Sequence, residues 1–562
     1  MPENRPYYIT TPIYYVNDAP HIGHIYTTLL ADVLARAQRL IRGNLSPVHF
    51  LTGTDEHADK VVTSAEQHGK STQEWADLNA ARFRAAFEEM GFSNDDFIRT
   101  SEERHKTRAT EFIAKLRASG AVELKDYTGW YDEGQEEYVP ENEARERDYK
   151  SAVSGKPLVK RSEKNYFFKL SEYEDRLKDH IEANAGFIRP EARKNEVLGR
   201  IRQGLNDVPI SRAVEDPSAE VWGIRMPGDD GHRVYVWIDA LFNYLTALED
   251  KQDEFWPADV QLVGKDILWF HAVIWPCMLM ALDMPLPHCV YAHGWWVSEG
   301  KKMSKSMGNF IDLPTLRGYA DRYSLDAVKW YLATQGPLGA NDADFAYARF
   351  VEVYNAELAN SVGNSMSRVG NMVDKYFSGV MPTPSGEQPI ETALYDQNHE
   401  PPRGREFDWN TVIADASSAY HSALSMGDLD AASTAGRRIV SVVDQYIADT
   451  RPFTIAKELT KEPTTGLYFD LYQNADALAY ILYQCAEALR IASLLLSPFM
   501  PDKMKQLWDA WDCHPPEGVP LEELAVFGGE HGLKPGHKIT KGEALFMRAK
   551  PDDPAPEPIE RN

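Results

Sequence analysis

Cysteine is scarce in this chain: four residues in 562, at Cys277, Cys289, Cys485 and Cys513, with no Cys-x-x-Cys pair and none before position 277. That count speaks against a disulfide scaffold and a cysteine-built zinc site, and for a reducing compartment. An uninterrupted apolar run long enough to span a bilayer is also missing, so no membrane partner is expected. Residues 1–5 lead straight into the apolar run 7–16, without the basic region, short apolar core and cleavage site of a secretory leader. The expected location is cytoplasmic. Positive charge is short as well: 60 Lys plus Arg against 85 Asp plus Glu leave a formal net charge of -25. Coating nucleic acid by bulk charge is thereby disfavoured, while a local basic face for RNA is not. What is present, 43% hydrophobic and 26% charged residues, is the balance of a globular protein. At ~150 residues per domain the length suggests about three or four domains.

The first 60 residues read strand, turn, helix, strand. Residues 7–13 are rich in aromatic and β-branched side chains, and Asn17-Asp18-Ala19-Pro20 breaks the run. Ile25, Leu29, Val33 and Ala37 then recur every four residues beside Leu30, Leu34 and Ile41, until Arg42-Gly43 ends the helix. A second strand, 48–51, is closed by Thr52-Gly53-Thr54-Asp55. Buried strands joined through a helix imply a parallel sheet of nucleotide-binding type. Helical patterns dominate 60–119. From 121 to 230 aromatic and charged residues mix with turns. Strand patterns resume at 233–238, 260–263 and 289–293, separated by helical 240–248 and 267–282, as a second half of the same sheet. Beyond 324 the chain reads as helix, apart from the proline-rich stretch 381–406, expected to be a surface loop.

Two clusters carry chemistry. His21-Ile22-Gly23-His24 sits where a strand ends and a helix begins, so two imidazoles at i and i+3 join the free N–H groups and dipole of a helix N-terminus. Gly23 leaves room for close approach of a ring or a phosphate. The pair also suits a metal, but no further ligand set lies nearby at suitable spacing. Lys302-Met303-Ser304-Lys305-Ser306, after Gly300 and before Gly308-Asn309, reads as a mobile loop whose two ammonium groups close on phosphates, or as a solvated basic loop.

Together these clusters resemble the two signature motifs of class I aminoacyl-tRNA synthetases. Further words narrow the resemblance to the methionyl-tRNA synthetase family: Thr11-Pro12-Ile13-Tyr14-Tyr15-Val16-Asn17, Phe50-Leu51-Thr52-Gly53-Thr54-Asp55-Glu56-His57, Tyr235-Val236-Trp237-Ile238-Asp239-Ala240-Leu241, Gly264-Lys265-Asp266-Ile267 with His271, and His293-Gly294-Trp295. The likeness covers nearly the whole chain. It implies an α/β fold in which a split Rossmann-type parallel-sheet catalytic domain holds an inserted connective domain and precedes an all-α anticodon-binding bundle. The boundaries expected are 1–120 and 231–323 for the two catalytic halves, 121–230 for the insert, 324–548 for linker and bundle, and 549–562 for a disordered tail.

The implied activity joins L-methionine to ATP, giving methionyl-adenylate and pyrophosphate, and then passes methionyl to the 3′ end of tRNA(Met), the initiator included. Magnesium would enter with ATP as a substrate complex. By resemblance His21, His24, Lys302 and Lys305 are catalytic. ATP is bound by His21, Gly23, His24, Asp266, His293, Gly294, Lys302 and Lys305. Asp55 would take the substrate ammonium, inside a methionine pocket of Ile13, Tyr15, Trp237, Ala240, Tyr244, Ile267 and His271. Asn364, Arg368 and Phe453 would read the anticodon, the last in Arg451-Pro452-Phe453 where the family usually has tryptophan after proline. The family's zinc-knuckle cysteines are missing after Gly129-Trp130-Tyr131, so no structural zinc is expected, and no metal site is assigned. A monomer is expected. Competing readings are another class I synthetase, a class I-like nucleotidyltransferase that never meets RNA, and a silent tRNA-binding paralogue. The 110-residue insert is too short for a hydrolytic editing domain, and intact His21, His24, Lys302 and Lys305 disfavour the silent form.

Overall fold

The computed structural model describes residues 5–132, 137–139, 141–152, 154–214, 216–218, 221–298, 301–302, 311–383, 408–459, 468–540, 542–550 and 553–560. Its centre is a six-stranded parallel sheet. The strands are β1 (Tyr7–Tyr15), β2 (Val48–Asp55), β3 (Asp96–Arg99), β4 (Ile188–Arg189), β5 (Val260–Gly264) and β6 (Val290–His293), in the order β3-β2-β1-β5-β6-β4. Both faces are covered, as a parallel sheet requires. Along β1, Tyr7 and Ile9 enter one apolar core while Tyr8 enters the other, the alternation a pleated strand imposes. Helix α1 (Ile22–Arg42) follows β1 and buries Ile25, Leu29, Val33 and Ala37 completely. Helix α2 (Glu103–Ala118) follows β3, and α3 (Val236–Leu241) and α4 (Asn243–Thr246) precede β5.

The chain then forms α5 (Leu313–Tyr323), α6 (Leu325–Gln335), α7 (Gly363–Phe377), α8 (Trp409–Met426), α9 (Leu429–Thr450), α10 (Pro452–Leu459), α11 (Tyr468–Leu496) and α12 (Pro501–Trp511). One apolar core runs without a break from α1 through α6 into the bundle. Within α11, Ala475–Leu496 is long and apolar enough to cross a membrane, yet most of that stretch is buried in the protein. It serves as the core helix of the bundle. The stretch 384–407, most of the proline-rich segment, lies outside the described residues.

The insert is built on a ladder pairing Val122–Asp132 with Val159–Phe168, flanked by Glu137–Val139 and Val208–Pro209. Val139, Ala144 and Leu158 form a small apolar cluster there, with Trp130 and Tyr149 packed against it, ring centroids 4.5 Å apart.

Two expectations are corrected, the strand at 233–238 and the disordered tail. Residues 233–238 are not a strand of the parallel sheet: Asp229–Val234 pairs antiparallel with Ser211–Ala213 and Arg225–Met226, and α3 starts at Val236. A short apolar run suits strand and buried helix alike, and packing chose the helix. Residues 188–189, inside the range expected for the insert, supply β4 to the sheet beside β6. The tail expected to be disordered lies on α5 over 553–560: Ile559 N–H donates to the Pro314 carbonyl, Arg322 donates to the Pro554 carbonyl, and a Cβ on Gly318 would sit 2.1 Å from the Glu557 carbonyl oxygen. Backbone pairing of this kind orders a polar, proline-rich segment that has no apolar face of its own.

Candidate active site

Strand order reverses between β1 and β5, and ligands of open parallel sheets bind outside the carboxyl ends of strands at that switch point. Several of the residues singled out from sequence stand at those strand ends. His21 is the N-cap of α1, in extended conformation, and its Nδ1 accepts the Gly23 N–H at 3.0 Å. His24 Nδ1 in turn accepts the His21 N–H at 3.2 Å, and the ring centroids are 3.8 Å apart. This is a capping box made of two histidines. Its chemical result is a fixed tautomer. With each Nδ1 occupied as an acceptor, a neutral ring carries its proton on Nε2. Burial and the neighbouring His21 push the His24 imidazole well below its ordinary value, so it stays neutral at pH 7. Two Nε2–H donors therefore stand at the positive end of the helix, suited to phosphate oxygens, whereas the backbone N–H groups expected to be free are taken, that of Ile22 by the Ile311 carbonyl and that of Gly23 by His21 Nδ1. Gly23 is required by the same geometry, since a Cβ there would lie 2.9 Å from His21 Cε1.

His293, at the end of β6, is buried; its Nδ1 lies 2.7 Å from the Gly294 carbonyl and its Nε2 2.7 Å from the Thr27 hydroxyl. It braces β6 on α1 rather than presenting a free ring. Thr27 had no signal in the sequence beyond lying one helical turn past Gly23. Asp266 is exposed just after β5, with Trp295 Nε1 donating to its Oδ1 at 3.3 Å, and the Lys265 ammonium sits 4.4 Å from the Trp295 ring centroid.

Asp55, 2% exposed, ends β2 directly opposite Tyr15 of β1. Tyr15 meets Trp237 edge-on at 6.0 Å, and Trp237 stacks on Phe270 at 4.1 Å. Phe270, an unassigned part of this wall, opens a π-helical stretch, Phe270–Ile274, that contains His271. The Tyr244 hydroxyl lies 2.7 Å from His271 Nε2, and His271 Nδ1 lies 2.9 Å from the Ile267 carbonyl. Nδ1–H donates to the carbonyl, so Nε2 accepts from the phenol. Ile13 packs against the same apolar core as Tyr244, and Ala240 is buried in α3. Asp55 is thus a buried carboxylate at the strand end beside an aromatic wall of Tyr15, Trp237 and Phe270.

Burial pushes the His271 imidazole down to about 4, and His24 and His293 are lowered by burial as well. Unfolded histidine titrates near 6.5. The unfolded chain therefore binds more protons as pH falls below that value, and stability present above it is lost down to the folded values. From about pH 7.5 to about pH 5, His271 alone should contribute a loss of about 2 kcal/mol. Urea unfolding followed by tryptophan fluorescence is expected to show this slope, shallower in His271→Gln, which cannot titrate. Equal slopes would contradict it.

The lysine motif is described in part. Lys301–Lys302 pairs with Trp296–Ser298, which follows β6, while Lys305 and the rest of 303–310 lie outside the described residues, as does the side chain of Lys302. Where the chain re-enters, Ile22 N–H donates to the Ile311 carbonyl at 3.2 Å and His21 bridges to Asp312. The exit of the lysine loop is thus held against the histidine pair.

A second site lies in the bundle. Asn364, Arg368, Asn371, Lys375, Tyr376 and Phe453 line one groove between α7 and α10. The Arg368 guanidinium sits 4.8 Å over the Phe453 ring, which is 41% exposed. Asn371, Lys375 and Tyr376 were not singled out; they continue the face of α7 at helical spacing from Asn364 and Arg368.

The family model described as tRNA synthetases class I (M) matches residues 7–147 and 145–370, which takes in the whole sheet, the insert and the start of the bundle. A class I synthetase is thereby defined. A methionine–tRNA ligase of Streptomyces coelicolor is 40% identical over 557 residues, spanning 97% of each chain, and one of Bacillus subtilis is 38% identical over 98% of this chain and 79% of its own. Among solved structures, Mycobacterium tuberculosis methionyl-tRNA synthetase in complex with methionyl-adenylate superposes with a TM-score of 0.81 at 31% identity, over 97% of this chain and 100% of that one. The chain belongs to the methionine–tRNA ligase family.

Proposed function

We propose that the crevice at β1 and β5 joins L-methionine to ATP and that the same site then charges tRNA(Met), the initiator included. The methionine carboxylate, already ionised at neutral pH, attacks the α-phosphorus; the acyl-phosphate bond forms as the bond to pyrophosphate breaks. No general base is needed for that step, so catalysis rests on positioning and on charge stabilisation. The fixed Nε2–H donors of His21 and His24 serve the phosphates; this geometry is the observation that supports the reading most directly. Lys302 and Lys305 close over the β- and γ-phosphates, Asp266 holds the ribose, and Gly294 gives the base close approach beside His293. Magnesium travels with ATP. Asp55 takes the substrate ammonium, and the chamber of Ile13, Tyr15, Trp237, Ala240, Tyr244, Ile267 and His271 takes the thioether, where aromatic contacts contribute roughly 0.3–1.5 kcal/mol each. In the second step the terminal ribose hydroxyl of tRNA attacks the acyl carbon and AMP leaves.

The enzyme works as a cytoplasmic monomer, and its insert is organised by the apolar cluster at Val139, Ala144 and Leu158 rather than by zinc. ATP–pyrophosphate exchange run with each standard amino acid tests the assignment: methionine alone should stimulate it, and stimulation by another amino acid would overturn it.

Anticodon reading falls to Asn364, Arg368 and Phe453, with one amide and one guanidinium for base edges and one ring for stacking. Stacking and cation–π contacts of this type are worth ~1–3 kcal/mol per base. Arg368→Ala is accordingly expected to raise the KM for tRNA(Met) in aminoacylation about 10- to 100-fold. An unchanged KM would remove the groove from tRNA recognition.

A further inference from the structure

Three buried side chains outside the groups assigned above form a hydrogen-bonded set behind the amino-acid pocket. Asp239, 1% exposed, lies in α3 between Trp237 and Ala240. Its Oδ2 is 2.5 Å from His57 Nδ1 and its Oδ1 is 2.7 Å from His105 Nε2. His57 stands two residues beyond Asp55, just past the end of β2; His105 is in the first turn of α2, and its Nδ1 reaches the Thr246 hydroxyl of α4 at 2.7 Å. Both imidazoles are buried. Burial alone would raise the Asp239 carboxyl, but His57 and His105 overcome it and hold the group well below the usual carboxylate range. An ionised carboxylate only accepts, so His57 donates from Nδ1 and His105 from Nε2.

The consequence is mechanical. One carboxylate ties the end of β2, which carries Asp55, to α3, which carries Trp237 and Ala240, and braces both on α2 and α4. Buried polar sets of this kind are rigid when every member is satisfied and costly when one is lost. None of the three side chains has been given a contact with substrate. We propose that Asp239 is a positioning residue for methionine: through His57 and His105 it sets the separation between the ammonium-binding carboxylate and the aromatic wall of the pocket. The inference rests on the methionine reading of that pocket. It does not extend to the nucleotide, whose candidate ligands stand on α1, on the turn after β5 and in the lysine loop.

The test uses the full chain in ATP–pyrophosphate exchange. In Asp239→Asn the amide accepts from one imidazole and turns an N–H on the other. The KM for methionine should rise about tenfold while the KM for ATP stays within about twofold, since misplacement by an ångström is felt by the mispositioned substrate. A second pair of variants serves if Asp239→Asn does not fold. His57→Asn keeps a donor near the Nδ1 position and should hold the methionine KM close to wild type, whereas His57→Leu should raise it as Asp239→Asn does. Equal movement of both KM values, no movement of either, or a His57→Asn enzyme as impaired as His57→Leu would overturn the proposal. A wild-type chain without methionine-dependent exchange would instead overturn the functional reading beneath it.

Discussion

Replacing His24 by glutamine is expected to slow methionine-dependent ATP–pyrophosphate exchange by about 10²- to 10³-fold in kcat, the effect of removing one preorganised donor from a site of developing charge. The substitution separates folding from chemistry. Glutamine at the third helical position is itself a capping-box residue, so its carbonyl oxygen can accept the His21 N–H that His24 Nδ1 accepts at 3.2 Å. Helix α1 and the apolar faces of Ile25 and Leu29 should persist, and the melting temperature should stay near that of the wild type. Lost are the Nε2–H donor and its fixed direction. Alanine would remove the cap as well and mix the two effects. Exchange measured at saturating methionine and ATP, beside a thermal melt, gives the answer; a glutamine enzyme of wild-type turnover would remove His24 from the phosphate side of the mechanism.

Asp55→Asn should cost about 10²-fold in kcat/KM for methionine, because a buried charge-assisted partner is lost while the ligand keeps its ammonium. Asp55 is almost wholly buried at the strand end facing Tyr15. A side chain of the same shape but without charge leaves the ammonium in an apolar chamber without a counter-charge. The loss should fall on methionine, with the KM for ATP little changed, and calorimetric titration of methionine alone should show the same weakening. Unaltered methionine affinity would place the ammonium elsewhere. The two substitutions act on opposite ends of the reacting pair, so their distinct signatures, kcat for His24 and methionine affinity for Asp55, also test whether both substrates meet between β1 and β5.

Much of this site was legible in the sequence because its parts are local. The strand–turn–helix that carries His21 and His24 is written in a four-residue apolar repeat following an aromatic run, and α1 occupies Ile22–Arg42 with Arg42-Gly43 at its end as the pattern implies. Asn364 and Arg368, four apart on one helix, needed only helical spacing to share a face. The run 233–238 was misread because its apolar residues satisfy a strand and a buried helix equally. The docked tail was missed because nothing in a proline-rich acidic segment names the helix it lies on. His57, His105 and Asp239 were invisible as a set: they are 48 and 134 residues apart in sequence, and a histidine near an aspartate in space has no periodic trace.

By itself the sequence determined the elements and the chemistry available at their ends: imidazoles at one helix start, ammonium groups in one loop, a carboxylate after one strand, and no cysteine in the insert. Those follow from interactions between residues a few positions apart, where period and side-chain type suffice. Only the tertiary structure decided which strand ends adjoin, which nitrogen of each imidazole is occupied, and that the exit of the lysine loop returns to His21 and Ile22. The strand-end neighbours, the return of the loop exit and the distant partners of His57, His105 and His293 depend on hydrogen bonds and packing between segments far apart in sequence, and such partners exist only once the chain has closed on itself.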